Sequence, residues 1–351
     1  MKRILIYVSD HGYGHAARTI ALVRNLLKTT KFEIIVKNSN AFYFLKSSLP
    51  NVRVEKVQTD VGPVFNWDSN RVDLEQTFDN FSNWINNEET WISQEVASFR
   101  ECPADLILTD ISPIAVRLAQ KVRCACITVG NFSWIDILKK LPYHKNKDVV
   151  LRWLDESFSI PEFAIKLPLS MNMEGFSKIK NASLLCRDVT CTKRQTLKEL
   201  GLDSSPIVVY TGAQSPAWLK INKKDNRIPL VTMRFNELQL ENKVFSGYSE
   251  SQNIIAASKA VIAKSGYSIL AECVKFRCPI YIIPRIDYPE DVALSNWAQD
   301  LGIGKVIDMH SESLDIPHEE QIKSTKYAIK EKLIESLERR QETASIILET
   351  V

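Results

Sequence analysis

No run of the 351 residues approaches the roughly 18 apolar positions that a helix needs to cross a bilayer. The first apolar run, in MKRILIYVSDHG, is about five residues long, below the ~7–15 of a secretory leader's core, so neither a span nor a leader is expected. The seven cysteines (Cys102, Cys124, Cys126, Cys186, Cys191, Cys273 and Cys278) include no C-x-x-C pair. Their odd number and apolar settings argue against a disulfide framework or a zinc knuckle and point to a reducing, cytoplasmic location. Charge of one sign is also lacking: 45 Lys and Arg against 42 Asp and Glu leave +3. That is too little to draw nucleic acid and leaves room only for weak peripheral contact with an anionic membrane. The spacing G-x-x-x-x-G-K-[ST] is absent, which removes the usual NTPase loop.

What is present is an ordinary globular composition, 45% hydrophobic and 25% charged, on a chain too long for one core. Strand and helix signals alternate, the pattern of a parallel sheet covered by helices. RILIYVS, FEIIVK, VRVEKV, DLILTD and CACITVG read as strands, with helices over 17–28 and 113–122. One long helix, or two in series, is expected between Arg71 and Phe99, and 141–168 reads as loops with a short helix in VVLRWLDESF. A second series begins at IVVYTG and runs through RIPLVTM, ENKVFSGY, AVIAKSG and PIYIIP. The expected division is a first domain over 1–190, a linker over 191–206, a second domain over 207–325 and a terminal helix over 326–351 that packs back on the first. Two such halves suggest a ligand crevice at the carboxyl ends of the strands.

GYGHAA follows the first strand and opens a helix, where a dinucleotide fingerprint would stand. The next strand, however, ends in Lys37, Asn38, Ser39 and Asn40, without the acid that would hold an adenosine ribose. What remains is a turn with Gly12 and Gly14 that brings backbone close to a ligand and sets His15 at a helix start. The positive end of the helix dipole disfavours the imidazolium there, leaving a neutral base. A purely structural His15 is the competing reading, and His11 suits a structural or ligand-orienting role. Asp110 ends the strand LILTD and could orient that base; the plainer alternative is a cap for the helix at Pro113.

In VIAKSGYSILAEC a strand runs into Lys264, Ser265, Gly266, Tyr267 and Ser268 and then a helix. This turn offers an ammonium, hydroxyls and a helix N-terminus to an anion such as a diphosphate. Glu272, flanked by apolar residues, could accept bonds from two sugar hydroxyls. Gly212 in YTGAQS marks a third strand end. Trp84 and Trp91 read as core or cleft wall, and the charged, amphipathic C-terminal segment reads as a surface helix.

HGYGHAAR, LTDISPIAVRLAQ with NFSW, and AKSGYSILAEC with PRIDYPE together resemble the two-domain GT-B glycosyltransferases over roughly residues 1–305. The nearest likeness is to glycosyltransferases related to the N-terminal region of L-arabinokinase. More distant ones are the lipid-linked N-acetylglucosaminyltransferase of peptidoglycan synthesis and the UDP-dependent plant enzymes. The resemblance implies an α/β fold of two Rossmann-like domains with parallel sheets facing across a cleft. It also implies metal-independent, inverting transfer of a hexosyl or N-acetylhexosaminyl group from a nucleotide sugar, UDP-linked above all. His15 would be the base and Asp110 its partner, with 264–268 on the diphosphate and Glu272 on the ribose. Tyr248 and Ser249 would read the nucleotide base, and Asn131 and Trp134 would lie on the acceptor side with His11, Gly12 and Gly14. No cofactor is implied, and the acceptor could be a small molecule, lipid-linked or a protein. No D-x-D pair stands at a fitting strand end, and IDYPED, with Asp287, is expected on donor sugar hydroxyls.

Asp10 departs from the small residue usual before the His-Gly pair; an acid there would repel a diphosphate or alter the titration of His11. Two rival functions share the fold: a UDP-sugar epimerase, which would need more cleft carboxylates, and a non-catalytic nucleotide-sugar-binding protein.

Overall fold

The computed structural model describes residues 2–350 apart from 67–68, 211–219, 223–227, 235–236, 241–242, 246–247 and 308–312. The chain forms two compact units. The first comprises 1–65, 72–185 and 339–351, and the second 66–71 and 186–338.

The first unit is built on a seven-stranded sheet in the order Arg53–Glu55, Glu33–Lys37, Arg3–Val8, Leu106–Asp110, Ala125–Gly130, Phe163–Lys166, Ile179–Asn181. Every neighbouring pair is parallel. Strands buried on both faces need continuous apolar runs, and Ile4 to Val8 and Leu106 to Leu108 are at most 2% exposed. Strand order reverses between Arg3–Val8 and Leu106–Asp110, which lie in register with Val8 opposite Asp110. The helix Tyr13–Thr29 starts directly beyond this switch point, where ligand crevices of such sheets form.

The stretch from Arg71 to Phe99 holds two helices, Leu74–Asn86 and Glu88–Glu101, interrupted at Asn87. Residues 141–168 contain more structure than their polarity suggested, a helix Lys147–Phe158 and a strand Phe163–Lys166. Trp84 and Trp91 are half-buried, and the Trp91 indole donates to the Gln58 carbonyl.

In the second unit the sheet order is Lys243–Phe245, Glu237–Leu240, Leu230–Arg234, Ile207–Tyr210, Ala260–Lys264, Ile280–Ile283, Gly304–Val306. Its core strands are parallel, but the first two pair antiparallel, so this sheet is not parallel throughout. Its switch point lies between Ile207–Tyr210 and Ala260–Lys264, the strand that feeds the helix Tyr267–Phe276. Residues 191–206, read as a linker, carry the helix Lys193–Leu200 within this unit. The C-terminal segment is three short helices rather than one, Glu319–Tyr327, Glu331–Glu338 and Thr343–Leu348. The last of them packs on the first unit's helix Tyr13–Thr29.

Candidate functional site

At the first unit's switch point, Gly12 caps the opening helix at φ 99°, a backbone conformation that is strained for any residue carrying a Cβ and free for glycine. A Cβ on Gly14 would meet nothing within 4 Å. His15 follows, 6% exposed, and its Nδ1 lies 2.8 Å from Asp110 Oδ1. Asp110 does not cap the next helix, whose cap position is Ser112. A carboxylate on Nδ1 favours the tautomer with Nδ1–H donating and Nε2 as the basic nitrogen.

Asp110 is shared with Arg18, which sequence reasoning missed. Arg18 Nε donates to Asp110 Oδ2 at 2.6 Å, a second guanidinium nitrogen to Oδ1, and a third to the Asn131 carboxamide oxygen. Arg18 Nη2 also lies 2.8 Å from His15 Nδ1; with the Nδ1 proton directed at Asp110 this is a close approach of two donors to one carboxylate rather than a hydrogen bond between them. Burial pushes the Asp110 carboxyl up, but the Arg18 charge, the His15 ring and the bonds from both hold it below the ordinary carboxylate range. The aspartate is therefore ionised and clamped in the plane that faces His15. The signal was available: Arg18 stands three residues after His15, on the same helix face, between Ala17 and Thr19 in a buried run.

Asn131 and Trp134, expected on the acceptor side, are both wholly buried, Asn131 accepting from Arg18 and Trp134 packing beside the two histidines. The Trp134 ring meets His11 edge-on at 5.1 Å between centroids and lies 6.3 Å from the His15 ring. Its indole N–H donates to Asp60 Oδ2 at 3.2 Å. His11 Nε2 lies 2.9 Å from the Pro63 carbonyl, and a Cβ on Gly62 would come within 2.4 Å of the His11 ring. His11 is thus wedged in place.

Asp10 is tied to the neighbouring loops. Its carboxylate turns into the loops and accepts the backbone N–H groups of Ser39, Asn40 and Thr59. Burial, reinforced by the Asp10 charge, pushes the neighbouring Asp60 up to about 8. Both acids border a cleft of about 290 Å³ whose wall also includes His11, Ser39, Gln58 and Asn80.

The second unit presents a different chemistry. Lys264 ends its strand, and Gly266 caps the helix that begins at Tyr267. Burial, then the nearby Arg285 guanidinium, lower the Lys264 ammonium to about 8. The Ser265 hydroxyl is buried without a hydrogen-bond partner among the described residues, the kind of orphan a polar ligand satisfies. The Tyr267 ring is packed in the core at 3% exposure, so only its backbone remains for a ligand. Cation, hydroxyl and helix N-terminus together suit a phosphate.

Glu272, expected on the ribose, lies off any charged surface face, as its apolar neighbours suggested. It is 2% exposed and gripped by Arg187, whose Nε donates to Oε1 at 2.7 Å and Nη2 to Oε2 at 3.3 Å. Arg187 also donates to the Ser249 carbonyl and the Ser251 hydroxyl. One guanidinium thereby joins the helix that carries Glu272 to the 248–251 segment expected to read a base. Burial pushes the Glu272 carboxyl up and Arg187 opposes that push. Asp287 sits in an exposed loop at φ 56° and pairs with Arg71 at 2.5 Å. Arg285 lies over the Tyr288 ring, 3.9 Å from its centroid, and pairs with buried Asp291. Gly212 lies outside the described residues.

Among the described residues, one group has metal-ligand spacing, Glu75, Asp79 and His144, with ligand atoms within 4.8 Å of one another. His144 Nδ1 accepts the Asn146 N–H, so Nε2 carries the proton it donates to Glu75 at 3.0 Å. A metal on Nε2 would move that proton to Nδ1, against another N–H. The group is read as a hydrogen-bonded clasp.

Each of the two α/β units thus carries a polar cluster just beyond the switch point of its sheet, His15 with Asp110 and Arg18 in the first and Lys264 with Ser265 in the second. The model of glycosyl transferase family 1 matches residues 2–320, and the chain belongs to that family. It is 26% identical over 308 residues to L-arabinokinase of Arabidopsis thaliana, an alignment covering 84% of this chain but 29% of that protein's length. Among solved structures, the glycosyltransferase VinC in complex with DTDP superposes at a TM-score of 0.63 with 14% identity, covering 99% of this chain and 98% of the other. UGT2 of Phytolacca americana, complexed with UDP-2fluoro-glucose and pterostilbene, does so at 0.62 with 10% identity, covering 100% and 99%. The fold is thus the GT-B glycosyltransferase fold. No helix among the described residues is long and apolar enough to cross a membrane.

Proposed function

We propose that the protein transfers a sugar, with inversion and without an obligatory metal, from a nucleoside-diphosphate sugar to an acceptor hydroxyl. The observation that carries the proposal is the His15–Asp110 contact at the switch point of the first sheet. In this reading His15 Nε2 takes the acceptor's proton while the oxygen bonds to the anomeric carbon and the bond to the diphosphate oxygen breaks on the opposite face. Asp110 fixes the tautomer and stabilises the imidazolium.

The leaving diphosphate gathers negative charge, which Lys264, the Ser265 hydroxyl and the helix N-terminus at Gly266 are suited to stabilise. Structures sharing the fold are named as complexes with DTDP and with a UDP-sugar, which supports a pyrimidine nucleotide here, with UDP the first choice. Glu272 belongs to the donor side through its Arg187 clamp, and Tyr248 and Ser249 to base recognition.

The test is donor turnover with an acceptor present. His15→Ala should cut kcat by ~10²–10⁴ and leave nucleotide affinity unchanged. Wild-type turnover in that variant would remove His15 from the mechanism. Donor consumption independent of any acceptor would favour an epimerase, and binding without consumption a carrier.

A further inference from the structure

We infer that the cleft beside His11 takes a hydroxyl-rich, non-anionic molecule of about monosaccharide size, and that this is the chemical class of the acceptor. The assignment to the acceptor rests on the transferase reading above; the assignment of the cleft's ligand does not.

Size comes first. At about 290 Å³ the cleft lies just below the ~300–1,000 Å³ range of ligand sites, a volume that suits one sugar ring or a small polyol. Its lining is the second observation. Small-molecule sites are mostly apolar with a few placed polar groups, whereas here Asp10, Ser39, Asn40, Gln58, Asp60 and Asn80 form the wall and Val61 is the single aliphatic side chain. An apolar ligand would strip water from these groups and return no hydrogen bonds.

The distribution of satisfied and open groups sharpens this. The two acids are held in place: Asp10 by three backbone N–H groups, Asp60 by the Asp10 N–H and the Trp134 indole. By contrast, the Ser39 hydroxyl, the Gln58 carboxamide oxygen and the Asn80 carboxamide make no hydrogen bond among the described residues. These three supply both donors and acceptors, the mixed set that vicinal hydroxyls require.

Charge excludes the remaining class. The lining contains two acids and neither lysine nor arginine, so a phosphate or carboxylate on the ligand would face Asp10 without a counter-ion. A neutral sugar or polyol is accommodated, and an amine would be matched by that acid. The cleft also has the right neighbour: Trp134 contacts the rings of both His11, on the cleft wall, and His15.

The experiment uses the full chain and saturation-transfer NMR with four kinds of probe: a panel of methyl pentosides and hexosides with myo-inositol, glucosamine, glucose 6-phosphate, and 4-methylumbelliferone. At least one neutral or amine-bearing polyol should bind, with affinity falling tenfold or more in Asn80→Leu and in Gln58→Leu, two surface changes chosen so that misfolding of one does not decide the test. Binding of glucose 6-phosphate or 4-methylumbelliferone in preference to every polyol, or polyol binding unchanged in both variants, overturns the inference. The two readings fail separately. A polyol that binds the cleft but receives no sugar from any nucleotide donor leaves the cleft assignment standing and removes the transferase. Transfer to 4-methylumbelliferone at rates indifferent to both variants does the reverse.

Discussion

Replacing Arg18 by methionine should unfold the first unit more readily than any surface change, and the size of the effect follows from what Arg18 leaves behind. The guanidinium, 2% exposed, contacts both oxygens of Asp110, itself 4% exposed. Methionine fills much of the same volume but strands the carboxylate with His15 as its remaining side-chain partner among the described residues. Breaking a buried pair from one side costs ~3–5 kcal/mol. At roughly 2–4 °C per kcal/mol for a domain of this size, the melting temperature should fall by ~6–20 °C near neutral pH.

The pH dependence distinguishes this cause from a packing defect. In the wild type Asp110 is held below its unfolded value, so its contribution is fully present above the unfolded pKa of ~4 and lost as pH falls through the folded one. In Arg18→Met burial acts unopposed by that cation and raises the carboxyl. Protonation then relieves the penalty, and the deficit relative to wild type should shrink as pH is lowered from about 8 to about 5. Adding Asp110→Asn removes the stranded charge, and the double variant should regain more than half of the loss. Thermal melts by circular dichroism across that pH range suffice. A single variant within ~2 °C of wild type, or a double variant no more stable than the single, refutes the argument.

Further outcomes follow from other contacts. Lys264 titrates at about 8 with the charged form below that value, so kcat/KM for the donor should fall as pH rises through it, and Lys264→Gln should lower kcat/KM and abolish that limb; an unchanged profile would separate Lys264 from the diphosphate. Glu272→Gln leaves the Arg187 charge under-compensated at the 248–251 segment and should weaken UDP binding in calorimetry, with Arg187→Met showing a similar loss. Equal affinity in both would detach this clamp from the nucleotide. Gly62→Ala puts a methyl where the His11 ring lies, 2.4 Å away, and should cost ~1–3 kcal/mol of stability along with acceptor KM, while the donor KM stays put.

How far the site was legible in the sequence depended on what each residue does. His15 and Asp110 could be found because their positions follow from a rule of parallel sheets: residues just past strand ends meet at the switch point, and the order of apolar runs locates those ends. The Lys264 to Ser268 turn was legible for the same reason. Arg18, Arg187 and Asp60 act by filling a charge or hydrogen-bond deficit created by a distant segment, Asp110, Glu272 and Trp134 respectively, and no local pattern states who the partner is. Yet each carried a trace. A charged residue amid apolar neighbours is rarely left unpaired, and that reasoning, applied to Glu272, held for its burial while missing what it was paired with. Applied to Arg18 beside Ala17, and to Arg187 after Leu185 and Cys186, it would have predicted two buried cations and prompted the search for their acids. The edge hairpin of the second sheet and the interruption at Asn87 were illegible for a plainer reason: alternation and helical spacing report which residues are buried, not the direction of a strand or the point where one helix yields to the next.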